Sequence, residues 1–302
     1  MNNSAYEKVL ITGATGFVGS HLAKRLVSDG KDVHLIVRPG SDLSPLNSIS
    51  EKITLHCHDG STEGMFSVVE KAEPHIVFHL ASLFLAQHES KDVAPMIESN
   101  ILFATQLAEA MTKFGVNSLI NTGTAWQHYN NEDYNPVCLY AATKEAYEDI
   151  LRYYTETTGL KVITLKLYDT YGPGDMRPKL FSLLNRVARE KETMAMSPGE
   201  QLIDILYIDD VINAFIIAAH RVMDAGSGSM ESFALSSGNP LKLKELILLY
   251  GEVFGEELTI EWGQREYRQR EVMVPWNRGE VLPGWKPEIA LREGIKKIIQ
   301  EE

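Results

Sequence analysis

Lys8-Val-Leu-Ile-Thr-Gly-Ala-Thr-Gly-Phe-Val-Gly-Ser20 is the stretch that decides the fold. A short β-branched apolar run comes first, glycines follow at positions 13, 16 and 19, and the residues from His21 to Ser28 have helical periodicity. This order predicts a strand, a glycine-rich turn and a helix. Glycines let a turn approach a pyrophosphate closely, and a helix N-terminus offers the phosphates unpaired N–H groups. The stretch therefore predicts a dinucleotide site, and the plainer alternative is a tight turn that only packs a helix on a sheet.

A second motif, Tyr140-Ala-Ala-Thr-Lys144, lies in the helical-looking run from Tyr140 to Tyr154. Side chains four residues apart on a helix share one face, so the phenol and the ammonium are expected to lie together. A lysine beside a tyrosine favours the phenolate, which predicts a lowered tyrosine pKa and proton exchange at neutral pH. A carbonyl/alcohol redox step needs such an exchange. The alternative is a solvated helix face that carries the pair by chance.

Together with these two motifs, Thr124 upstream of Tyr140 and Tyr171-Gly-Pro173 further on make a recognisable combination. Over nearly its whole length the chain resembles the extended short-chain dehydrogenase/reductase family, in particular members that modify nucleotide sugars. The resemblance implies an α/β fold, a Rossmann-type doubly wound parallel sheet with a small C-terminal substrate-binding lobe. It also implies a dinucleotide-binding domain of residues 1–167, rejoined by about 205–235, and a lobe of residues 168–204 and 236–302.

The resemblance implies roles for individual residues. Tyr140 would give its proton to the developing alkoxide, Lys144 would hold the nicotinamide ribose, and Thr124 would orient the carbonyl. Asn100 matches an asparagine behind the active site that would hold a water or a backbone carbonyl, and an asparagine that caps or bends a helix is the alternative. Besides Tyr140 and Lys144, the expected cofactor-binding residues are Gly13, Thr15, Gly16, Phe17, Val18, Gly19, Arg38, Ser41, Asp59, Gly60, Leu80 and Ala81.

The choice of cofactor depends on the end of the second predicted strand, Asp32-Val-His-Leu-Ile-Val-Arg38. NAD enzymes usually place an acid there for the ribose hydroxyls. This chain has Arg38 instead, and Ser41 adds a hydroxyl three residues later. An arginine and a hydroxyl suit a 2′-phosphate, so the sequence predicts NADP(H), with NAD as the less favoured cofactor. The alternative is a solvated loop arginine.

An arginine cluster in the C-terminal part of the chain predicts a site for an anionic small molecule. Arg268 is the expected pyrophosphate ligand, with Arg265 and Arg270 as rivals. Relatives commonly carry Arg-x-x-Asn before Tyr-Gly-Pro, whereas this chain has Lys166 and Asp169. Because an aspartate accepts hydrogen bonds and cannot donate them, Asp169 must meet a hydroxyl or a cation. The expected substrate-binding residues are Ser82, Trp126, Asp169, Arg177, Lys179 and Arg268.

The residues after Thr124 bear on the reaction. Dehydratases of the family carry an Asp-Glu pair there, and this chain has Ala125 and Trp126, which disfavours a 4,6-dehydratase. Three short motifs are similar to those of reductases that make CDP-3,6-dideoxyhexoses: Gly123-Thr-Ala-Trp-Gln-His128, Leu167-Tyr-Asp-Thr-Tyr171 and Arg177-Pro-Lys179. The sequence therefore predicts NADPH-dependent reduction of the 4-keto group of a nucleotide-linked deoxysugar, of the CDP-4-keto-3,6-dideoxyhexose type.

Two other functions remain open. An NAD-dependent nucleotide-sugar 4-epimerase would use the same threonine, tyrosine and lysine, and Arg38 argues against it. A redox-silent NADP-sensing or scaffold protein would keep the fold without chemistry. The presence of Thr124, Tyr140 and Lys144 together disfavours that second alternative.

Composition excludes some partners and predicts a compartment. The formal net charge of -12 argues against a general nucleic-acid-binding surface. No apolar run has the length of a membrane span, and the first residues lack signal-peptide anatomy, so the expectation is a cytoplasmic protein. The two cysteines, Cys57 and Cys138, have no metal-ligand spacing, and no metal is expected.

The resemblance also implies a homodimer. Relatives pair two helices with their copies to form a four-helix interface. The corresponding predicted helices here run from Ala94 to Phe114 and from Tyr140 to Tyr154. Apolar residues on them, such as Leu102 and Tyr147, are compatible with that interface.

Overall fold

The computed structural model describes residues 6–175 and 177–301. In chain order, the strands are β1 (Lys8–Thr12), β2 (Asp32–Val37), β3 (Ile53–Cys57), β4 (Ile76–His79), β5 (Ser118–Thr124), β6 (Lys161–Leu167), β7 (Asp169–Tyr171), β8 (Met194–Met196), β9 (Leu202–Ile203), β10 (Ile205–Tyr207), β11 (Met230–Leu235), β12 (Leu241–Lys242) and β13 (Ile260–Trp262). The α-helices are α1 (Phe17–Ser28), α2 (Thr62–Ala72), α3 (Val93–Ile97), α4 (Phe103–Lys113), α5 (Leu139–Thr158), α6 (Leu180–Glu190), α7 (Ile208–Asp224), α8 (Leu243–Phe254) and α9 (Leu291–Glu301).

A central sheet positions everything else. In the described part of the chain it has seven strands in the order β11–β6–β5–β4–β1–β2–β3, and all their pairings are parallel. Since β2 lies on one side of β1 and β4 on the other, the strand order reverses beside β1. Ligands of such sheets bind outside the carboxyl ends of the strands at the reversal. The predicted α/β fold with a Rossmann-type doubly wound parallel sheet is confirmed.

Helices cover both faces of the sheet. Val9 and Ile11 of β1 are buried in one apolar cluster with α1 and α7, whereas Leu10 is buried in another with α2, α4 and α5. Successive side chains of a strand point to opposite faces, so this alternation follows from the strand itself. A parallel strand covered on both faces reads as a continuous apolar run, which explains the composition of β1.

The chain after β6, apart from α7 and β11, builds a layer at the carboxyl edge of the sheet. It contains three small pairings, β7 with β10, β8 with β13, and β9 with β12. Trp285 joins this layer to α7, because its indole N–H donates to the Asp210 carbonyl over 2.8 Å. The Asp210 carboxylate accepts the backbone N–H groups of Glu288 and Ile289, at 3.0 Å each. Trp276 stacks on His128 with ring centroids 3.8 Å apart, so both tryptophans close this layer onto the sheet.

Two predicted helices differ from the observed ones. α1 begins at Phe17, with Gly16 as its N-terminal cap, and the sequence had suggested a start at His21. Glycine is a poor helix former on average, yet Gly19 lies inside the first turn, where its lack of a side chain permits close packing. The helix expected from Ala94 to Phe114 is interrupted by a π-helical turn, Glu98–Leu102, between α3 and α4.

Candidate active site

The glycine turn after β1 is set by close backbone packing. Gly13 has a φ of +73°, and a Cβ atom built on it would lie 2.6 Å from the backbone nitrogen of Ala81. A Cβ on Gly19 would lie 2.2 Å from the Gly13 carbonyl oxygen. A side chain at either position would push the turn away from β4 or from α1. The turn thereby presents the start of α1, whose first N–H groups have no partner within the helix, at the strand reversal.

The end of β4 is tied to β1 beside this turn. Thr12 accepts the Ala81 N–H at its hydroxyl oxygen over 3.1 Å, and its carbonyl accepts the Leu80 N–H over 3.2 Å. The same hydroxyl lies 2.8 Å from Nδ1 of His79, a buried residue whose pKa is lowered to about 3 by burial. His79 is therefore neutral and structural. Leu80 and Ala81 lie against the glycine turn, where a bound dinucleotide would pass.

Other residues expected to bind the cofactor follow β2 and β3. Arg38 follows β2 and is exposed, and its N–H donates to the Ser41 hydroxyl over 3.1 Å. None of the ion pairs formed among the described residues involves Arg38. Asp59 follows β3, where hydrogen bonds from Ser61 hold its pKa below the usual value. Gly60 has a φ of +93° and its carbonyl accepts the Gln106 amide.

Phe17, at the start of α1, connects the two expected binding regions. The guanidinium of Arg177 lies 4.5 Å from the centroid of the Phe17 ring. The His21 ring packs edge to face with that ring, and the two ring centroids are 4.9 Å apart. Thr15 and Val18, on either side of the turn's end, are half-buried. Arg177, which the sequence assigned to the substrate, thus lies over the helix that carries the glycine turn.

Thr124, Tyr140 and Lys144 come from neighbouring elements, because β5 ends at Thr124 and α5 begins at Leu139. All three are buried. Burial raises the pKa of the Tyr140 phenol, and the neighbouring Ser82 hydroxyl lowers it only in part. Burial lowers the pKa of Lys144 to about 8, and Glu148 raises it in part. The expected lowering of the Tyr140 pKa is therefore wrong in direction, because removal of water from around the phenol dominates.

Asn100 holds the loop after β4 against α5. Its side-chain oxygen accepts the Leu83 N–H over 2.7 Å, and its amide donates to the Leu83 carbonyl over 3.1 Å. The amide also donates to the Thr143 hydroxyl over 2.9 Å, and that hydroxyl donates to the Tyr140 carbonyl over 2.7 Å. Asn100 lies in the π-helical turn. It therefore both holds a backbone carbonyl, that of Leu83, and lies where the helix is irregular, so the two expected roles apply together.

A cavity of about 310 Å³ lies between the sheet edge and the layer that follows it. Its lining includes four of the expected substrate residues, Trp126, Asp169, Lys179 and Arg268. Lys179 pairs with Asp169 at 3.4 Å, so the aspartate meets a cation, as its chemistry required. Arg268 forms a two-pronged ion pair with Glu271 at 2.8 and 3.0 Å.

The arginine rivals do not line this cavity. Arg265 donates its backbone N–H to Met196 at the lobe's small β8–β13 sheet, and Arg270 lies 4.3 Å above the Tyr129 ring. Arg177 is outside the lining as well, since its guanidinium bonds Asp175 and the Thr170 carbonyl. Arg268, whose guanidinium lies 5.4 Å from the Trp126 ring, is therefore the arginine that the described structure places at the cavity.

Two residues of this region were missed by the sequence reasoning. Phe84 lines the cavity and contacts the rings of Tyr140 and Trp126, at centroid distances of 4.9 and 5.5 Å. An apolar residue shortly after the His-Leu-Ala-Ser turn was its only sequence signal. Gln127 is buried and accepts the Thr124 N–H over 2.9 Å. The motif Gly123–His128 contained it, and nothing in the spacing indicated its partners.

Metal-binding clusters and membrane-spanning helices are absent from the described ranges. In residues 6–175 and 177–301, no group of three or more histidine, cysteine, aspartate or glutamate residues is arranged to hold a metal ion. None of the helices in the same ranges combines the length and the apolar character that crossing a membrane requires.

A doubly wound parallel sheet with a glycine turn at its strand reversal, and with a buried threonine, tyrosine and lysine beside a cavity, defines the class of Rossmann-type dinucleotide-binding proteins. Residues 9–230 match the NAD dependent epimerase/dehydratase family. The chain belongs to that family, and the resemblance predicted from its motifs is confirmed.

Individual relatives cover nearly the whole chain. The CDP-abequose synthase of Salmonella typhimurium is 24% identical over 302 residues, which span 97% of this chain and 98% of the relative. The UDP-glucuronate 4-epimerase of Thermodesulfobacterium geofontis is 25% identical over 316 residues, spanning 96% of this chain and 94% of the relative. Among solved structures, the UDP-glucose 4-epimerase of Thermotoga maritima with UDP-glucose has a TM-score of 0.85 and 23% identity, covering 97% of each chain.

Proposed function

We propose that the protein is a nucleotide-sugar 4-ketoreductase that uses NADPH on a CDP-4-keto-3,6-dideoxyhexose or a close analogue. One observation carries the proposal: Phe84 lines the cavity and also touches the ring of Tyr140. A substrate in the cavity would therefore lie one aromatic side chain away from the proton donor, whose own side chain does not line the cavity. The similarity to CDP-abequose synthases over nearly the whole chain supports this choice of substrate.

The raised pKa of Tyr140 suits a proton donor. The phenol stays protonated at neutral pH and can give its proton to the alkoxide that forms on reduction. When bound, the nicotinamide supplies a hydride to the keto carbon. Lys144, with a pKa of about 8, is mostly charged at neutral pH and stabilises the phenolate that Tyr140 becomes. Thr124 orients the keto oxygen through its hydroxyl.

The proposed NADP(H) preference rests on Arg38 and Ser41. Both lie at the end of β2, and Arg38 is exposed and unengaged in the ion pairs of the described chain. A guanidinium offers several donors in a planar fork that matches a phosphate. The tight glycine turn leads directly into α1, whose first N–H groups can donate to a pyrophosphate.

We assign substrate binding to the lobe of residues 168–204 and 236–302. Arg268 and Lys179 supply positive charge at the cavity for a pyrophosphate, and Trp126 and Phe84 supply apolar surface near Tyr140. A sugar that has lost hydroxyl groups suits such an apolar surface, because it carries fewer polar groups that must be desolvated there. Ser82 lies beside the Tyr140 phenol and completes this end of the site.

Assembly and compartment complete the proposal. Leu102 on the π-helical turn is 50% exposed and Tyr153 on α5 is 63% exposed, so both can contribute to a homodimer interface. Tyr147 cannot, because it is buried in the core of its own chain. We propose a cytoplasmic homodimer.

A 4-epimerase that holds NAD tightly is the second candidate. The similarity to the UDP-glucuronate 4-epimerase of Thermodesulfobacterium geofontis favours it. Its catalytic residues would be the same, so the cofactor and the products separate the two reactions. Arg38 at the end of β2 argues for the reductase.

The decisive experiment follows NADPH absorbance with purified protein and CDP-, dTDP- and UDP-linked 4-keto sugars, and repeats it with NADH. We expect stoichiometric NADPH oxidation with a CDP-linked 4-keto deoxysugar. The Tyr140→Phe variant should lose about 10²- to 10⁴-fold in kcat while binding NADPH normally. No oxidation, together with interconversion of UDP-hexoses and release of NAD on denaturation, would establish the epimerase instead.

A further inference from the structure

A buried glutamine joins the end of β5 to α5. Gln127 is fully buried, and its side-chain oxygen accepts the Thr124 N–H over 2.9 Å. Its amide nitrogen donates to Oε2 of Glu145 over 2.5 Å and to Oε1 of Glu148 over 2.8 Å. Both amide hydrogens and the amide oxygen are thus engaged. If the amide were flipped, its NH₂ group would face the Thr124 N–H, donor against donor, and its oxygen would face two carboxylates, acceptor against acceptor. The network therefore permits one orientation of the amide.

Lys166 offsets the repulsion between the buried carboxylate of Glu148 and the half-buried carboxylate of Glu145. Its Nζ lies 3.5 Å from Glu148, 3.9 Å from Glu145 and 3.0 Å from Nε2 of His128. Burial raises the pKa of Glu148, whereas Lys166 and Gln127 lower it. Burial and Lys166 lower the pKa of His128, which is therefore a neutral acceptor for the lysine. Lys166 stands where relatives commonly carry an arginine. Here its ammonium contacts side chains of its own chain.

The strand leaves room for this network at one residue. A Cβ on Gly123 would lie 2.9 Å from Oε1 of Glu148 and 3.0 Å from Oε1 of Gln127. A side chain at this position would displace the ends of both groups, so the glycine leaves Gln127 room to reach the Thr124 N–H and Glu148 room to reach Gln127. Glu148 also lies one helical turn after Lys144 on α5, and its charge acts on that lysine. The network therefore lies between the residue that orients the carbonyl and the helix that carries the proton donor.

The Thr124 hydroxyl has a defined direction. Its Oγ1 accepts the Trp126 N–H over 3.3 Å, so the hydroxyl hydrogen is free to donate to a substrate. This direction depends on the backbone of residues 124–127, which Gln127 holds at both ends through the Thr124 N–H and α5. A shift of about 1 Å in a catalytic group can cost about 100-fold in rate.

We propose that Gln127, held by Glu145 and Glu148, is a positioning residue that sets Thr124 relative to the Tyr140–Lys144 helix. The inference rests on the proposed function for the role of the Thr124 hydroxyl. The geometric part concerns the chain alone and can be tested without knowledge of the substrate.

The first test compares Gln127→Met with Gln201→Met. Both variants replace a buried glutamine by an apolar side chain of similar size, and Gln201 lies in the C-terminal lobe, where it donates to Ser197. Hydrogen exchange measured by NMR should show the Thr124 amide exchanging at least about tenfold faster in Gln127→Met alone. With the substrate in hand, kcat should fall about 10- to 100-fold in that variant, with KM changed by less than about threefold.

A second pair guards against a variant that fails to fold. The Glu145 side chain is 25% exposed, so it tolerates substitution. Glu145→Gln keeps an oxygen that can accept from Gln127, and kcat should stay within about twofold of the native value. Glu145→Leu removes the acceptor and should lower kcat about 5- to 10-fold without changing KM.

The outcomes separate this inference from the proposed reaction. Unchanged exchange of the Thr124 amide in Gln127→Met, or equal kcat in the two methionine variants, would overturn the positioning role. If the native protein oxidises no NADPH with any of the keto sugars tested, the proposed function fails. Faster exchange at Thr124 would then still support the positioning role.

Discussion

The glycine turn and the cavity wall are built on different physical bases. At the turn, backbone meets backbone, and a single added Cβ would lie 2.2 Å from Gly13 or 2.6 Å from Ala81. At the cavity wall, the charged side chains are held by each other, as Arg268 is by Glu271 and Lys179 by Asp169. Long side chains in exposed ion pairs are held weakly, because solvent screens the pair and mobility opposes it.

This difference indicates how each region responds to change. In a turn made of packed backbone, no side chain can move aside to make room for an added group. A substitution there therefore displaces the whole turn. A wall of paired side chains can release a guanidinium or an ammonium to a ligand by exchanging one partner for another. We therefore expect substitutions in the turn to have larger effects than those at the wall.

Gly19→Ala should give the largest effect of the four changes considered below. The added methyl group would overlap the Gly13 carbonyl, so α1 must move away from the turn. We expect a loss of about 1–3 kcal/mol in the free energy of unfolding and at least about a 100-fold weaker affinity for NADPH. Denaturant unfolding and NADPH fluorescence titration measure the two quantities. Gly226→Ala, at a glycine with open space around it, is the control and should leave both nearly unchanged.

Arg38→Ser tests a side chain at the turn's edge of the sheet. Removal of a charged donor to a phosphate should weaken NADPH binding about 10- to 100-fold. Affinity for NADH, which lacks the phosphate, should change by less than about threefold. Arg25→Ser, which removes an arginine paired with Asp29 on the surface of α1, is the matched control. Equal losses for both cofactors would contradict the assignment of Arg38.

The pH dependence of the reaction tests the buried lysine between the two regions. Burial lowers the pKa of Lys144 to about 8, so its charged form is lost as pH rises through that value. Above about pH 8 we expect kcat/KM to fall about tenfold per pH unit, because the phenolate of Tyr140 loses the positive charge that stabilises it. Lys144→Arg keeps its charge at all these pH values, so its residual activity should show no limb near pH 8.

Arg268→Ala should give the smallest effect, because its guanidinium is already paired and partly exposed. We expect KM for the nucleotide sugar to rise about 5- to 10-fold with kcat within about twofold. Glu271→Gln removes the competing carboxylate and should lower KM or leave it unchanged. Arg265→Ala, outside the cavity, serves as control. A loss as large as that of Gly19→Ala would mean that the wall is as rigid as the turn.

The sequence predicted the parts that depend on local pattern. The apolar run of β1, the glycine spacing and the helical spacing of Tyr140 and Lys144 are short-range signals, and they indicated the sheet and the family. The start of α1 was wrong because the helical periodicity begins at His21, whereas the helix already begins within the glycine-containing stretch at Phe17. The direction of the Tyr140 pKa was wrong because spacing reveals the neighbouring charge and does not reveal burial.

Other features depend on contacts between distant residues, which a single sequence does not display. Phe84 meets Trp126 across 42 positions of the chain, and Gln127 meets Glu148 across 21. The arginine cluster indicated an anionic ligand, yet which of its members faces the cavity depends on the path of the backbone. The assignment of individual site residues remains a prediction that the substitutions above test.

The π-helical turn at Glu98–Leu102 makes this chain sensitive to a single-residue deletion. A π turn holds one residue more than an α turn, so it is equivalent to an insertion in the helix from Val93 to Lys113. Removing that residue would restore a regular helix and change the direction in which the side chains of the turn project. Asn100 would then lose Leu83 and Thr143. A shorter, more regular helix would therefore release the loop beside Tyr140.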